Sequence, residues 1–486
     1  MPARDLPARP NIEQYKKQAK DLLKSCKSRD PEALRRIREF VRHAGGPSEP
    51  GRAGTITLAD AQLVIAREHG FSSWPKFAKE IGSRTGAGAL ADIWRAAEEA
   101  VVTGDVSSLA RLLSGHEQMF RSQRPQSSWL VGLTPDYSAA DARSIIVRNH
   151  GFESWDQFAA YADAAKNPTS PVARFEAAVD AIVAGDVVGL QRLLRQDPDL
   201  VRARSTRTHH STLLHYVGAN GVEGFRQRTP KSAVQIAETL LDAGAEVDAG
   251  ADMYDGGCTT LGLVATSIHP KVAGLVQPLI DSLIAHGARV DVPGSGRGHL
   301  LVNGCLANGR PEAAELLASR GAPLDLEGAA GLGRLDLVKM FFDADGRLKS
   351  TETTKQMKDG MAWACEYGRT EVIGFLLDHG VGVGERLRPD GQTGLHWAAH
   401  GGYVDAVKVL LMRHAPVDVK DASFDGTPLD WALHGWTEAA AKDSYYQVVA
   451  LLVAAGAPVQ PEWLSDENAR TNPRMVAALT GKTPDA

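Results

Sequence analysis

The residues best suited to chemistry in this sequence are histidines. His209, His210 and His215 form one group, and His396, His400 and His434 another. His396 and His400 have the i, i+4 spacing that puts two imidazoles on one helical face. Such a pair could hold zinc, but a zinc centre needs further ligands and a supporting shell. No His-Glu-x-x-His pattern is present. Cys26, Cys258, Cys305 and Cys365 lie far apart with no Cys-x-x-Cys, as reduced thiols would. Cys258, Cys305 and Cys365 have no sequence-local base, and no Gly-x-Ser-x-Gly elbow occurs. Gly294-Ser295-Gly296-Arg297-Gly298 has the composition of a phosphate loop but lacks the Lys-Ser/Thr that would reach the phosphates. The expectation is therefore no catalytic residue, no metal site and no cofactor.

The elements that must position these residues repeat. Trp363, Trp397 and Trp431 are spaced by 34 residues, and each is followed by alanine. Leu376-Leu377 and Leu410-Leu411 keep the same interval. A closing motif, Gly244-Ala245-Glu246-Val247-Asp248, recurs at Gly287, Gly321 and Gly456, with weaker copies at Gly346, Gly380 and His414. Within one unit, Thr393 can cap a helix that begins at Gly394. Gly401-Gly402 then ends it. Val404, Val407, Leu410 and Leu411 give the apolar stripe of a second helix.

Thr427-Pro428-Leu429-Asp430-Trp431-Ala432 and Thr212-Leu213-Leu214-His215 resemble the Thr-Pro-Leu-His motif of ankyrin repeats, and the Gly-Ala-x-Val-Asp closers resemble the end of that unit. Seven units fit between about 205 and 460. The interval from Gly321 to Gly346 is only 25 residues, so one hairpin is missing and Leu326 should enter its helix directly. The resemblance implies that His215 and His396 tie adjacent hairpins by hydrogen bonds. It implies that the tryptophans pack between units, and that hairpin tips and the exposed side of the first helix bind a protein. Matched to the motif, those positions are Glu366, Tyr367, His400 and His434 on helices, and Arg388, Asp390, Gln392, Ser423 and Phe424 on hairpins. Extra residues near 222–234, 266–278 and 435–446 lie between first and second helices. They are expected to widen that surface, so that deleting 224–230 would leave melting unchanged.

The front of the chain is a different duplication. Residues 57–78 and 138–159 are identical at twelve of 22 positions, 81 residues apart. Thr57 with Asp60 and Ser138 with Asp141 read as capping boxes. Gly70 and Gly151 should end those helices, with Ser73 and Ser154 capping the next ones. The result looks like a helical module familiar beside bacterial ankyrin repeats. A further capping box at Asn11 opens a helix whose lysines 16, 17, 20, 24 and 27 should face solvent. Linkers are expected at 44–54, 82–88 and 166–171.

Composition bounds the rest. Of 486 residues, 43% are apolar and 23% charged, with 48 glycines and a net charge of −5. That balance disfavours a nucleic-acid coat protein. The start of the chain is charged where a leader would be apolar, and no run of about 18 apolar residues occurs, so no membrane span is expected. The expected architecture is an all-α solenoid: helical modules at 1–88 and 89–173, repeats at 174–464, and a capping helix with a tail at 465–486. The expected role is a cytoplasmic, non-catalytic scaffold with a protein partner, no nucleic acid and no membrane. Two alternatives stand: a small-molecule or enzymatic groove built from Tyr367, His396, His400, Asp430 and His434, and an inhibitor or effector acting on another protein.

Overall fold

The computed structural model describes residues 12–28, 30–41, 56–69, 95–115, 139–219, 222–291, 300–350, 353–439, 442–465 and 467–481, with single positions between 71 and 93. The linkers expected at 44–54 and 82–88, the Gly294–Gly298 loop, Asn11, Gly70 and Ser138 lie outside these residues. The described residues are almost wholly helices and turns. The hairpins contribute only isolated bridges, such as Arg204 with Thr212 and Ala251 with Cys258.

The chain divides into two compact units, Met1–Arg148 and Asn149–Ala486. In the first, helices Ile12–Lys27, Pro31–Val41 and Leu58–Glu68 enclose Tyr15, Ala19, Leu22, Ile37, Val64, Ile65 and Phe77. The third of these helices starts as expected: Thr57 and Asp60 form a reciprocal capping box. Each side chain there satisfies a backbone N–H that the first turn leaves unpaired. The five lysines of the first helix are exposed, opposite buried Tyr15, Ala19 and Leu22. Arg36 donates two hydrogen bonds to the buried Glu68 at 2.7 and 2.9 Å, linking the second and third helices.

The second unit begins with a copy of the Gly-Phe-x-Ser-Trp segment. Ser154 caps helix Trp155–Ala165, and the expected linker at 166–171 is a tight turn into helix Pro171–Ala184. That helix ends on Gly185 at φ 81°, where a side chain would be strained. From there helices alternate in pairs: Gly394–His400 with Val404–Met412, then Pro428–Glu438 with Asp443–Ala454. The glycine excess sits largely at their ends. Gly244, Gly287, Gly321, Gly346, Gly380 and Gly456 all have positive φ, and His414 takes the same conformation at φ 60°. Where the hairpin is missing, Asp325 caps helix Leu326–Gly331 directly, as the short interval required. Helix Pro473–Leu479 closes the far end by burying Met475, Ala478 and Leu479.

Stacking the pairs buries two runs of core. One gathers residues 175–332, and the other residues 326–479. Trp363 packs with the first run, whereas its neighbours Ala362 and Ala364 pack with the second.

Candidate recognition site

The repeat histidines are structural. Nδ1 of His396 accepts the Thr393 backbone N–H at 3.1 Å, which leaves Nε2 to donate to the Gly426 carbonyl at 3.1 Å in the next hairpin. His215 does the same between Thr212 and the Cys258 carbonyl. Both rings are fully buried. Burial holds each in its neutral form, lowering His215 to about 4 and His396 below its usual range.

His400, four residues after His396, turns the other way. It meets Trp431 edge-on at 5.6 Å and His434 of the following repeat at 5.8 Å. Trp431 is a hub, because Trp397, His396 and Phe424 also approach its ring within 6.2 Å. Its indole Nε1 donates to Asp421 at 3.0 Å. The same carboxylate accepts the backbone N–H groups of Ser423, Phe424 and Gly426. Asp421 is 3% exposed. Burial alone would raise its pKa, but these hydrogen bonds outweigh that effect and hold it below the usual carboxylate range. Asp421 therefore fixes both the indole and the loop that carries Phe424, whose ring is 78% exposed. Sequence reasoning passed over Asp421. The signal was present in Asp421-Ala422-Ser423-Phe424-Asp425-Gly426, an acidic residue heading a turn.

The hairpin one repeat earlier has the same closing bond: Leu387 donates to the Gln392 carbonyl at 2.8 Å, as Asp421 does to Gly426 at 3.0 Å. The two tips are joined by Ala422, which donates to the Asp390 carbonyl at 2.7 Å.

The nine sequence-chosen residues separate into two sets. Asp390, Ser423, Phe424 and His434 are exposed, and His400 is half-buried beside them. Gln392 corrects the expectation of a surface residue. It is buried at 4%, because its position closes the hairpin and its side chain turns inward. Tyr367 is largely spent within the fold, with its hydroxyl donating to the Leu306 carbonyl at 2.5 Å and its ring stacked on Trp363. The Arg388 guanidinium lies 3.8 Å from the centre of the Trp363 ring and 3.5 Å from Asp359. Trp363 Nε1 donates to the buried Glu327 at 2.7 Å. Glu366 is half-buried; burial pushes its carboxyl up to about 7, against the opposing pull of Arg388 and a Tyr367 hydrogen bond.

Of the alternative groove's residues, only His400 and His434 are brought together with their ring atoms turned toward each other. His396 is occupied between its hairpins, and Asp430 accepts from Thr427 in a capping box. The three buried repeat cysteines have pKa values raised by burial, Cys258 and Cys305 to about 12.

The inserted loops also differ from expectation. The segment at 222–230 is not an outlying flap, because Glu223 and Arg226 plunge into a buried charge cluster with Arg207, Glu176 and His209. Arg207 donates to Glu176 at 2.5 Å and 3.2 Å, to the Tyr161 hydroxyl at 2.8 Å and to the His150 carbonyl at 2.9 Å. This cluster ties the 150–161 segment to the first repeats. Sequence reasoning missed it because the bonds that assemble it join three separate stretches of chain, such as Arg207 to Glu176 across 31 residues and Arg226 to Glu176 across 50. By contrast, the loop at 266–278 forms helix Ile268–Ala273 and exposes Val272 at 80%.

Paired helices closed by short hairpins, with histidines bridging neighbouring units, define a stacked helical repeat. The chain carries ankyrin repeats: the family model for ankyrin repeats (3 copies) matches residues 326–421 and 361–462. No curated protein matches the chain at a significant level. Among solved structures, the human ASB11 ankyrin repeat domain is similar at 19% identity, over 58% of this chain and 98% of that one, with a TM-score of 0.30. The ankyrin repeat domain of Bcl-3, a unique member of the IkappaB protein family, is 19% identical over 53% of this chain and 93% of that one, with a TM-score of 0.27. No described helix is long and apolar enough to cross a membrane.

Proposed function

We propose that the chain binds a protein partner through the tips of hairpins 387–392 and 421–426 and the adjoining helix faces, with Phe424 as the anchor. The observation that carries this is the combination of exposure and restraint at Phe424. Phe424, 78% exposed, sits on a loop held by three backbone hydrogen bonds to Asp421, and its ring meets Trp431 edge-on. A pre-ordered aromatic loses little freedom on docking, which is what makes such residues binding hot spots. Asp390, Ser423 and the Arg388–Trp363 stack supply a mixed polar surround, as interface rims do. Gln392 is buried within its hairpin and Tyr367 is bonded to Leu306, so neither is assigned a contact in this reading. Ankyrin repeats generally serve as protein-binding modules, and a scaffold, an inhibitor and an effector would all use the same surface. The enzymatic reading is left without His396 and Asp430, which already serve in helix caps.

The test is affinity capture with the whole chain, wild type against Phe424→Ala and Asp421→Asn. Phe424→Ala removes an exposed ring and should leave melting unchanged while the captured partner is lost. Asp421→Asn should weaken capture by loosening the loop. Equal capture by wild type and Phe424→Ala would overturn the reading.

A further inference from the structure

The sequence put His396 and His400 forward as a metal pair. The structure breaks that pair and makes another. His396 turns inward between hairpins, while His400 projects toward the next repeat. There, exactly one repeat on in the chain's own 34-residue spacing, stands His434, and four residues beyond it Glu438. One ligand atom from each of His400, His434 and Glu438 can be chosen such that all lie within 4.8 Å of one another. His434 Nε2 and Glu438 Oε1 are already 3.5 Å apart. Two donors on one tetrahedral zinc ion, each about 2.05 Å from it, stand about 3.4 Å apart. His434 and Glu438 thus already stand at ligand spacing, and the two exposed side chains need only swing together toward His400.

From these three residues we infer a divalent transition-metal site of two imidazoles and one carboxylate, bridging helices Gly394–His400 and Pro428–Glu438.

Several features favour this placement. The two helices meet unusually closely at this level: a Cβ on Gly435 would lie 2.2 Å from the His400 carbonyl oxygen. That carbonyl also accepts the Tyr445 hydroxyl at 2.8 Å, which pins the backbone of the first ligand. Trp431 packs against the His400 ring and limits its rotation. His434 and Glu438 are about two-thirds exposed, so they can adjust by side-chain rotation alone. Their i, i+4 spacing on one helix keeps them on one face.

The donor set selects the ion class. Two imidazoles and a carboxylate suit Zn²⁺, Ni²⁺ or Cu²⁺, whereas Mg²⁺ and Ca²⁺ require mostly oxygen ligands. Three protein ligands leave a fourth position for water or for an incoming group. A bound ion would also link two consecutive repeats and so stabilise their stacking.

The test uses the full chain without a tag, stripped of metal and titrated with Zn²⁺ by calorimetry, with melting followed in parallel. One Zn²⁺ per chain should bind saturably and raise the melting temperature. His400→Ala and His434→Ala should each weaken binding by about tenfold or more, as loss of a ligand costs at least what loss of its supporting shell does. Glu438→Gln should also weaken it, and because that side chain is exposed the substitution leaves folding intact. His414→Gly, a histidine outside the cluster, should bind as wild type. Absence of saturable Zn²⁺ binding, wild-type affinity in Glu438→Gln, or Mg²⁺ binding as tight as Zn²⁺ would each overturn the assignment.

Discussion

Arg207 and Glu223 lie 3.5 Å apart with neither side chain exposed to solvent. Burial disfavours both charges, yet the net effect runs the other way. Glu223 and Glu176 hold Arg207 protonated, and the His209 hydrogen bond with the charges of Arg207 and Arg226 holds Glu223 well below the usual carboxylate range. Removing one partner of such a cluster strands the others. Arg207→Met should therefore destabilise the second unit by about 3–5 kcal/mol, measured by denaturant unfolding. Deletion of 224–230 should lower the melting temperature as well, because it removes Arg226. A deletion variant that melts with wild type would show that the cluster contributes nothing.

Gly435 marks the tightest approach between consecutive repeats. An added methyl would meet both the His400 carbonyl oxygen at 2.2 Å and the Tyr445 ring at 2.8 Å. Backbone cannot move aside as a flexible side chain can. Gly435→Ala should cost about 1–3 kcal/mol through overpacking, even though alanine is the better helix former. An unchanged or higher unfolding midpoint would contradict the packing.

Glu366 offers a pH test with an unusual sign. Its folded pKa of about 7 lies above its ordinary value of 4.5, chiefly through burial. A raised carboxylate favours the protonated fold, so stability is full below the ordinary value and falls as pH climbs toward 7. Glu366→Gln removes that penalty. It should stabilise the chain by about 1–2 kcal/mol at pH 8 and by nothing at pH 4.5. Equal effects at both pH values would show that the carboxyl is well solvated.

His215 behaves oppositely. Its folded pKa of about 4 lies below the ordinary 6.5, chiefly through burial. The stability it contributes is present above 6.5 and is lost as pH falls from 6.5 toward 4. The loss should reach about 3 kcal/mol from this residue. His396, shifted the same way, adds to it. Unfolding midpoints should fall between pH 6.5 and 4 in wild type, and His215→Gln should flatten the curve. A wild-type slope retained in that variant would place the acid sensitivity elsewhere.

Periodic and local features could be read from the chain; meetings across units could not. The 34-residue period, the capping role of Thr393, the direct entry at Leu326 and the outward lysines 16–27 all depend on residues close in sequence or one repeat apart. His400 with His434 and Glu438 was half legible. The interval between the histidines was plain, but the i, i+4 pairing with His396 drew attention to the wrong neighbour. The burial of Gln392 was hidden because hairpin closure, not residue type, decides which way that position faces. The Arg207 cluster was not legible at all, since it depends on how an inserted loop folds back onto helix Pro171–Ala184.

Trp363 has a further consequence. It packs with the core of one block of repeats while Ala362 and Ala364 on either side belong to the next. In a stack stabilised only between nearest neighbours, disruption travels from unit to unit until it reaches a weak coupling. Near this residue a hairpin is missing, and the Trp363–Glu327, Tyr367–Leu306 and Arg369–Gly331 hydrogen bonds cross the seam. Native-state hydrogen exchange should then find the two runs of core opening as separate blocks, one fluctuating while the other stays closed, and a single opening step for both would show that the seam at Trp363 is no weaker than the rest.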